Sequence, residues 1–124
     1  MKKTKSDETD LLVMSIVAGM QEKKAKSVKV LDLRIIKSGF TDCFVICHGT
    51  SDRHVESIVD SVEEVVRKKT KEKPWNIEGS ERNEWVLIDY INVVVHVFVQ
   101  DKRKFYAIEE LWGDADITEF DDVI

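Results

Sequence analysis

Apolar residues follow two rhythms along this chain, one helical and one of period two. Val13, Ile16, Val17 and Met20 recur at i, i+3, i+4 and i+7, which predicts a helix over residues 7–24 with one buried stripe. Ser6 is its candidate cap; Asp7, Glu8 and Asp10 fall at the positive end of the helix dipole, and Lys23, Lys24 and Lys26 at the negative end. A second helix over residues 52–69 carries the stripe Val55, Ile58, Val59, Val62 and Val66, opened by Gly49-Thr50-Ser51-Asp52 as a cap. Glu63 and Arg67, and Glu64 and Lys68, are spaced to pair on its wet face. Between the helices, residues 28–35 alternate with Leu31, Leu33 and Ile35 on one side, and Ser38-Gly39 turns the chain. Residues 43–48 are apolar on both sides, which predicts a central strand covered by helices on each face. Residues 75–78 read as a short strand. Residues 85–98 read as two adjoining strands rich in β-branched and aromatic side chains, broken by a tight connection at Tyr90-Ile91-Asn92. A third helix over residues 102–112 closes the pattern, with Gly113 as its stop.

This order, αββαβββα, predicts a single α/β layered domain with a mixed five-stranded sheet. Its 124 residues are enough to bury a core without staples. Residues 1–7 are expected to form a flexible N-terminus, 8–115 the domain, and 116–124 an acidic C-terminal tail. The longest apolar run, Val93 to Val99, is interrupted by His96 and too short to cross a bilayer. Acids at positions 7, 8 and 10 follow Lys2, Lys3 and Lys5 too closely for a leader peptide, so a cytoplasmic address is expected. Cys43 and Cys47, in the buried-looking strand, agree as reduced core thiols. The net charge of −5 argues against a nucleic-acid backbone as the main binding surface and leaves basic proteins as partners.

The candidate chemistry thins out on inspection. Nucleotidyl transfer needs two carboxylates close together on a strand to hold a metal ion. No Asp-x-Asp pair falls on a predicted strand: Asp89 stands alone, and Asp114-Ala115-Asp116 lies past the third helix. Gly49-Thr50-Ser51 could offer an anion nest, but any helix cap wants the same residues. Cys43, Cys47, His48 and His54 suggest zinc, yet strand positions 43 and 47 are about 13 Å apart, too wide for one ion with Zn–S bonds of about 2.3 Å. Cys47 and His96 lack an oxyanion hole and an orienting acid, so His96 reads better as a core histidine bonded to backbone. No catalytic residue, metal or cofactor is expected. Trp85, Leu87 and Asp89 share one side of a strand, and Val86, Ile88 and Tyr90 the other. Either helices cover both sides, or Trp85 opens a wet edge beside Arg82-Asn83-Glu84 and serves as a binding anchor.

Several blocks, taken together, carry a resemblance. They are Phe40-Thr41-Asp42-Cys43-Phe44-Val45-Ile46-Cys47-His48-Gly49-Thr50-Ser51-Asp52-Arg53-His54, then Glu78-Gly79, then the strands from Trp85 to Phe98, then Phe105-Tyr106-Ala107-Ile108-Glu109-Glu110-Leu111-Trp112-Gly113-Asp114. In order, spacing and residue type the chain resembles the Iojap family, the ribosomal silencing factors, over roughly residues 8 to 115. The resemblance implies a topology similar to nucleotidyltransferases. It also implies binding to the large ribosomal subunit, through its ribosomal protein fourteen, with a steric block on small-subunit joining. The contact residues it implies are Trp85, Asp89, Tyr90, Asn92, Tyr106, Glu110, Leu111 and Trp112. The chain departs from the family at Ile91-Asn92, where many relatives read Gly-Asp. A positive φ there would strain Ile91, so Asn92 is expected to take it. Two other classes compete: a nucleotide-binding or nucleotidyltransferase-type enzyme on the same fold, and a homodimer that covers Trp85 with a second copy.

Overall fold

The computed structural model describes residues 4–36 and 41–124, with the side chains of residues 104–106, 108 and 109 outside the described set, as is the expected turn at Ser38-Gly39. Helix α1 (Lys5–Glu22) is followed by β1 (Lys26–Asp32), a 3-10 turn (Arg34–Ile36), β2 (Cys43–Gly49) and α2 (Asp52–Thr70). Then come β3 (Asn76–Glu78), β4 (Trp85–Asp89), β5 (Val93–Val99), α3 (Gln100–Tyr106), α4 (Ile108–Leu111) and β6 (Asp116–Glu119). The strands form one mixed sheet in the order β3-β4-β5-β2-β1-β6. β2 and β5 run parallel at its centre, and the remaining neighbours are antiparallel.

Both long helices lie on one side of this sheet. The stripes of α1 and α2 are buried as expected and close over Cys43, Val45 and Cys47 of β2, Val93, Val95 and Val97 of β5, and Val86, Ile88 and Tyr90 of β4. The two helices approach so closely that a Cβ on Gly19 would lie 2.8 Å from the Val62 Cα, and Ser61 donates to the Gly19 carbonyl at 2.7 Å. The opposite side carries a separate cluster: Leu31, Leu33, Phe44, Ile46, Val94 and Phe98, partly covered by Ile36, Trp85, Leu87, Trp112 and Ala115.

Five expectations need correction. The cap of α1 is Thr4 and not Ser6, because Thr4 stands three residues before an acid. Its hydroxyl accepts the Asp7 N–H at 3.1 Å, and the Asp7 carboxylate accepts the Thr4 N–H at 3.3 Å. The helix thus begins inside the segment expected to be flexible. β1 stops at Asp32, whose carboxylate accepts the Arg34 backbone N–H and two guanidinium bonds. That local turn curls the chain away and leaves Ile35 62% exposed instead of lining the core with Leu33. The third helix is two pieces, broken where Ala107 takes a φ of 48°. Residues 116–119 are no tail: they pair with β1 as a sixth strand, extended by the Phe120 N–H to the Val28 carbonyl and the Ser27 N–H to Asp122. Among the ion pairs expected on α2, Glu64 and Lys68 meet at 2.9 Å, but Glu63 has no cation within ion-pair distance among the described residues.

Candidate protein-docking face

Strand alternation sends successive β4 residues to opposite sides of the sheet. Val86 and Ile88 are fully buried under the helices, while Trp85, Leu87 and Asp89 form a half-buried row on the other side. Gly79 sets the start of this row. Its φ is 89°, and a Cβ there would collide with the Trp85 carbonyl, so only glycine lets the β3–β4 connection pass.

The Trp85 ring stacks on Phe98 of the neighbouring strand, with centroids 5.2 Å apart, and its Nε1–H donates to His96 Nδ1 at 3.1 Å. The expected backbone partner of His96 is therefore an indole. Because Nδ1 accepts, the neutral ring carries its proton on Nε2, which is buried with no partner. Burial holds the imidazole down at about 4, so it stays neutral near pH 7. Phe44 meets His96 edge-on at 4.8 Å and Trp112 edge-on at 5.7 Å, which links the β4 row to the end of α4. Beside Trp112, Glu110 is exposed and Leu111 is 77% exposed.

The eight residues implied by resemblance thus divide. Trp85 and Trp112 belong to this aromatic side of the sheet, Glu110 and Leu111 are exposed on α4 just before Trp112, and Asp89 lies at the far end of the Trp85 row. Asn92 sits in the hairpin but is tied inward: its carboxamide donates to Thr9 of α1 at 2.9 Å, and its carbonyl receives the N–H groups of Asp42 and Cys43. Tyr90 is only 4% exposed and faces the helices, so its ring offers no surface contact. One step along a strand reverses the side, and Tyr90 is one step from Asp89. The Tyr106 side chain lies outside the described set.

The turn also departs from expectation. Ile91, not Asn92, takes the positive φ, at 77°. The Asn92 N–H reaches back to the Tyr90 carbonyl at 3.0 Å, closing a γ-turn of the rare positive-φ form. Asn92 cannot take that role while its side chain and carbonyl hold α1 and β2. The Asp89 carboxylate supports the strained turn by accepting the Ile91 N–H at 2.7 Å. Ile91 is 66% exposed, and Trp75, 72% exposed, is at the same corner, its N–H bonded to the Asp89 carbonyl. The contacts implied by resemblance include neither, and they omit Leu87, which the strand alternation had placed beside Trp85 and Asp89. A β-branched residue between two turn-forming neighbours was the available signal for Ile91.

The groups sought for catalysis are otherwise engaged. Ser51 caps α2 by accepting the His54 N–H, and the Thr50 N–H that would line an anion nest donates to His54 Nδ1 at 2.9 Å. Cys43 and Cys47 are buried, unbridged thiols pushed up to about 12, by burial first. Among the described residues no group of three or more His, Cys, Asp or Glu side chains is placed to hold a metal ion. No helix of the described residues is long and apolar enough to cross a membrane.

Solved structures share this fold. A crystal structure of a Bacillus halodurans protein superposes with a TM-score of 0.74 at 36% identity, covering 88% of this chain and 97% of that one. The sequence model of the family described as ribosomal silencing factor during starvation matches residues 5–124, and the chain belongs to that family. The ribosomal silencing factor RsfS of Halalkalibacterium halodurans is 41% identical over 113 residues, covering 91% of this chain and 95% of the relative. Protein Iojap of Zea mays chloroplasts is 28% identical over 102 residues, which covers 82% of this chain and 43% of the plant protein. The match reaches residue 124, in keeping with β6 as part of the domain.

Proposed function

We propose that this chain is a cytoplasmic ribosomal silencing factor that binds the large ribosomal subunit and blocks joining of the small one by occupying space, without catalysis. The observation that carries the reading is the half-open aromatic side of the sheet, where Trp85, Leu87 and Asp89 form a row that the fold leaves partly uncovered. A flat apolar strip with a carboxylate at its end and Glu110 nearby suits a basic protein surface, and the net charge of −5 favours its approach. Within the large subunit the partner is ribosomal protein fourteen. Trp85 and Leu111 supply apolar contact, while Asp89 and Glu110 supply charge that steers association.

The test is a subunit-joining assay. Purified protein, mixed with isolated large subunits before small subunits are added, should reduce the fraction sedimenting as whole ribosomes in proportion to occupancy. Full joining at saturating protein would remove the proposed block, and equal inhibition when the protein is added to small subunits alone would move the target.

A further inference from the structure

The sheet ends at β6, and the outer edge of that strand is open. The Phe120 N–H donates to the Val28 carbonyl, and antiparallel bonding alternates, so Thr118 and Asp116 turn their main-chain groups towards Val30 and Asp32 of β1. The N–H and C=O groups of Ile117 and Glu119 therefore point away from the sheet, and no strand lies beyond them among the described residues. All four β6 residues are exposed. Such a row of outward donors and acceptors is a template for a further strand.

Two other features stand at the same edge. Residues 114–122 carry Asp114, Asp116, Glu119, Asp121 and Asp122 with no Lys or Arg among them. Glu119 meets Lys29 at 3.5 Å and Asp122 accepts the Ser27 N–H, but Asp114, Asp116 and Asp121 have no cation within ion-pair distance among the described residues. On the helical side, between α1 and this edge, a groove of about 200 Å³ is lined by Met14, Val30, Thr118 and Phe120, and Met14 is 53% exposed. Arg34 also borders the groove, but Asp10 and Asp32 hold it at 3.0 and 2.8 Å, so its charge is already matched.

We propose that the β6 edge takes up an extended, lysine-rich segment of another protein as a seventh strand. Its main chain bonds to Ile117 and Glu119, a cation opposite Asp116 meets that carboxylate, and an apolar side chain opposite Thr118 enters the groove beside Met14 and Phe120. Asp114 and Asp121 flank the strand and suit cations further along the segment. A second copy of this chain fits less well, because pairing β6 with itself sets five carboxylates against the same five, with no cation in either stretch. β5, β2 and β1 separate this edge from the Trp85 row, so its occupancy does not depend on the docking proposed above.

The experiment titrates the full chain with a synthetic peptide of repeating Lys-Lys-Val-Val, which places both residue types on each face of a strand. It should bind saturably, more weakly as salt rises, and should slow amide exchange at Ile117 and Glu119. The same peptide with proline in place of valine leaves no two successive donors along one edge and should not bind. Ile117→Pro deletes an outward N–H but spares the Thr118 and Asp116 bonds to β1. β6 should then stay in place, read from slow exchange at Thr118, while peptide affinity falls about tenfold or more. Should that proline loosen β6, Asp116→Asn/Asp121→Asn carries the test: both positions are exposed, so the variant should fold normally and bind about fivefold more weakly. Unchanged affinity in either folded variant, or equal binding of the proline peptide, would overturn the proposal. So would sedimentation of the free chain as a dimer that Ile117→Pro dissolves, which would give the edge to a second copy.

Discussion

On the helical side of the sheet, Val86, Ile88 and Tyr90 of β4 are sealed beneath α1 and α2 among aliphatic neighbours. On the other side, Trp85, Leu87 and Asp89 of the same strand remain half-buried, beside a smaller cluster built around Phe44, His96 and Phe98. Residues 3.3 Å apart along the chain therefore do unrelated work. The closed side stabilises the fold by burial. The open side leaves Trp85, Leu87 and Trp112 only partly covered, the surface on which the proposed docking rests. The proposed docking would use the open positions of a strand whose alternate positions hold the core, which gives it a rigid support.

Substitution on the closed side should give the largest effect on folding. Ile88→Ala removes a fully buried side chain on the helical side of the sheet and should destabilise the domain by about 2–5 kcal/mol in thermal or denaturant unfolding. The fraction that remains folded should bind large subunits as the parent does. Loss of binding beyond the unfolded fraction would mean the two sides are not separate.

Acid should distinguish the sides next. His96 takes up its proton near pH 6.5 in the unfolded chain but only near 4 in the folded one. Between those values the unfolded state binds more protons, so stability falls as pH drops through the window and the full penalty is in place below about 4. Its size is on the order of 3 kcal/mol. The thiols on the closed side, pushed up to about 12, stay protonated throughout and contribute nothing in this range. His96→Phe should flatten the pH dependence of Tm between 6.5 and 4. An unaltered slope would place the acid sensitivity elsewhere.

The hairpin tip should give the smallest change. Ile91→Gly relieves a positive φ that costs a β-branched residue about 1–2 kcal/mol, offset by roughly 0.5–1 kcal/mol of glycine chain entropy. A net gain of about 1 kcal/mol or less in unfolding free energy is expected, and a clear loss would show that the Ile91 side chain packs more than its exposure implies.

The buried stripes of α1 and α2 and the division of β4 were legible in the sequence, because each rests on a strong period imposed by burial. β6 was not: all four of its residues are exposed, it pairs along an edge, and its carboxylates give no apolar rhythm. The break at Ala107 carries no glycine or proline to announce it. At the candidate docking face, Trp85 and Asp89 could be assigned to one side, but the indole bond to His96 depends on a cross-strand register that one strand alone does not reveal. Tyr90 was placed by resemblance on a surface that its own alternation denied it.

The central claim is that the open side of the sheet meets the large ribosomal subunit, and co-sedimentation of Trp85→Ala with isolated large subunits tests it most directly. Trp85 is half-buried on Phe98, so thermal unfolding must accompany the binding curve to confirm that the variant is folded at the assay temperature. The account predicts a folded protein whose affinity drops by about 2 kcal/mol or more, on the order of thirtyfold in Kd. A folded Trp85→Ala variant that sediments with large subunits at the parent's affinity would contradict it.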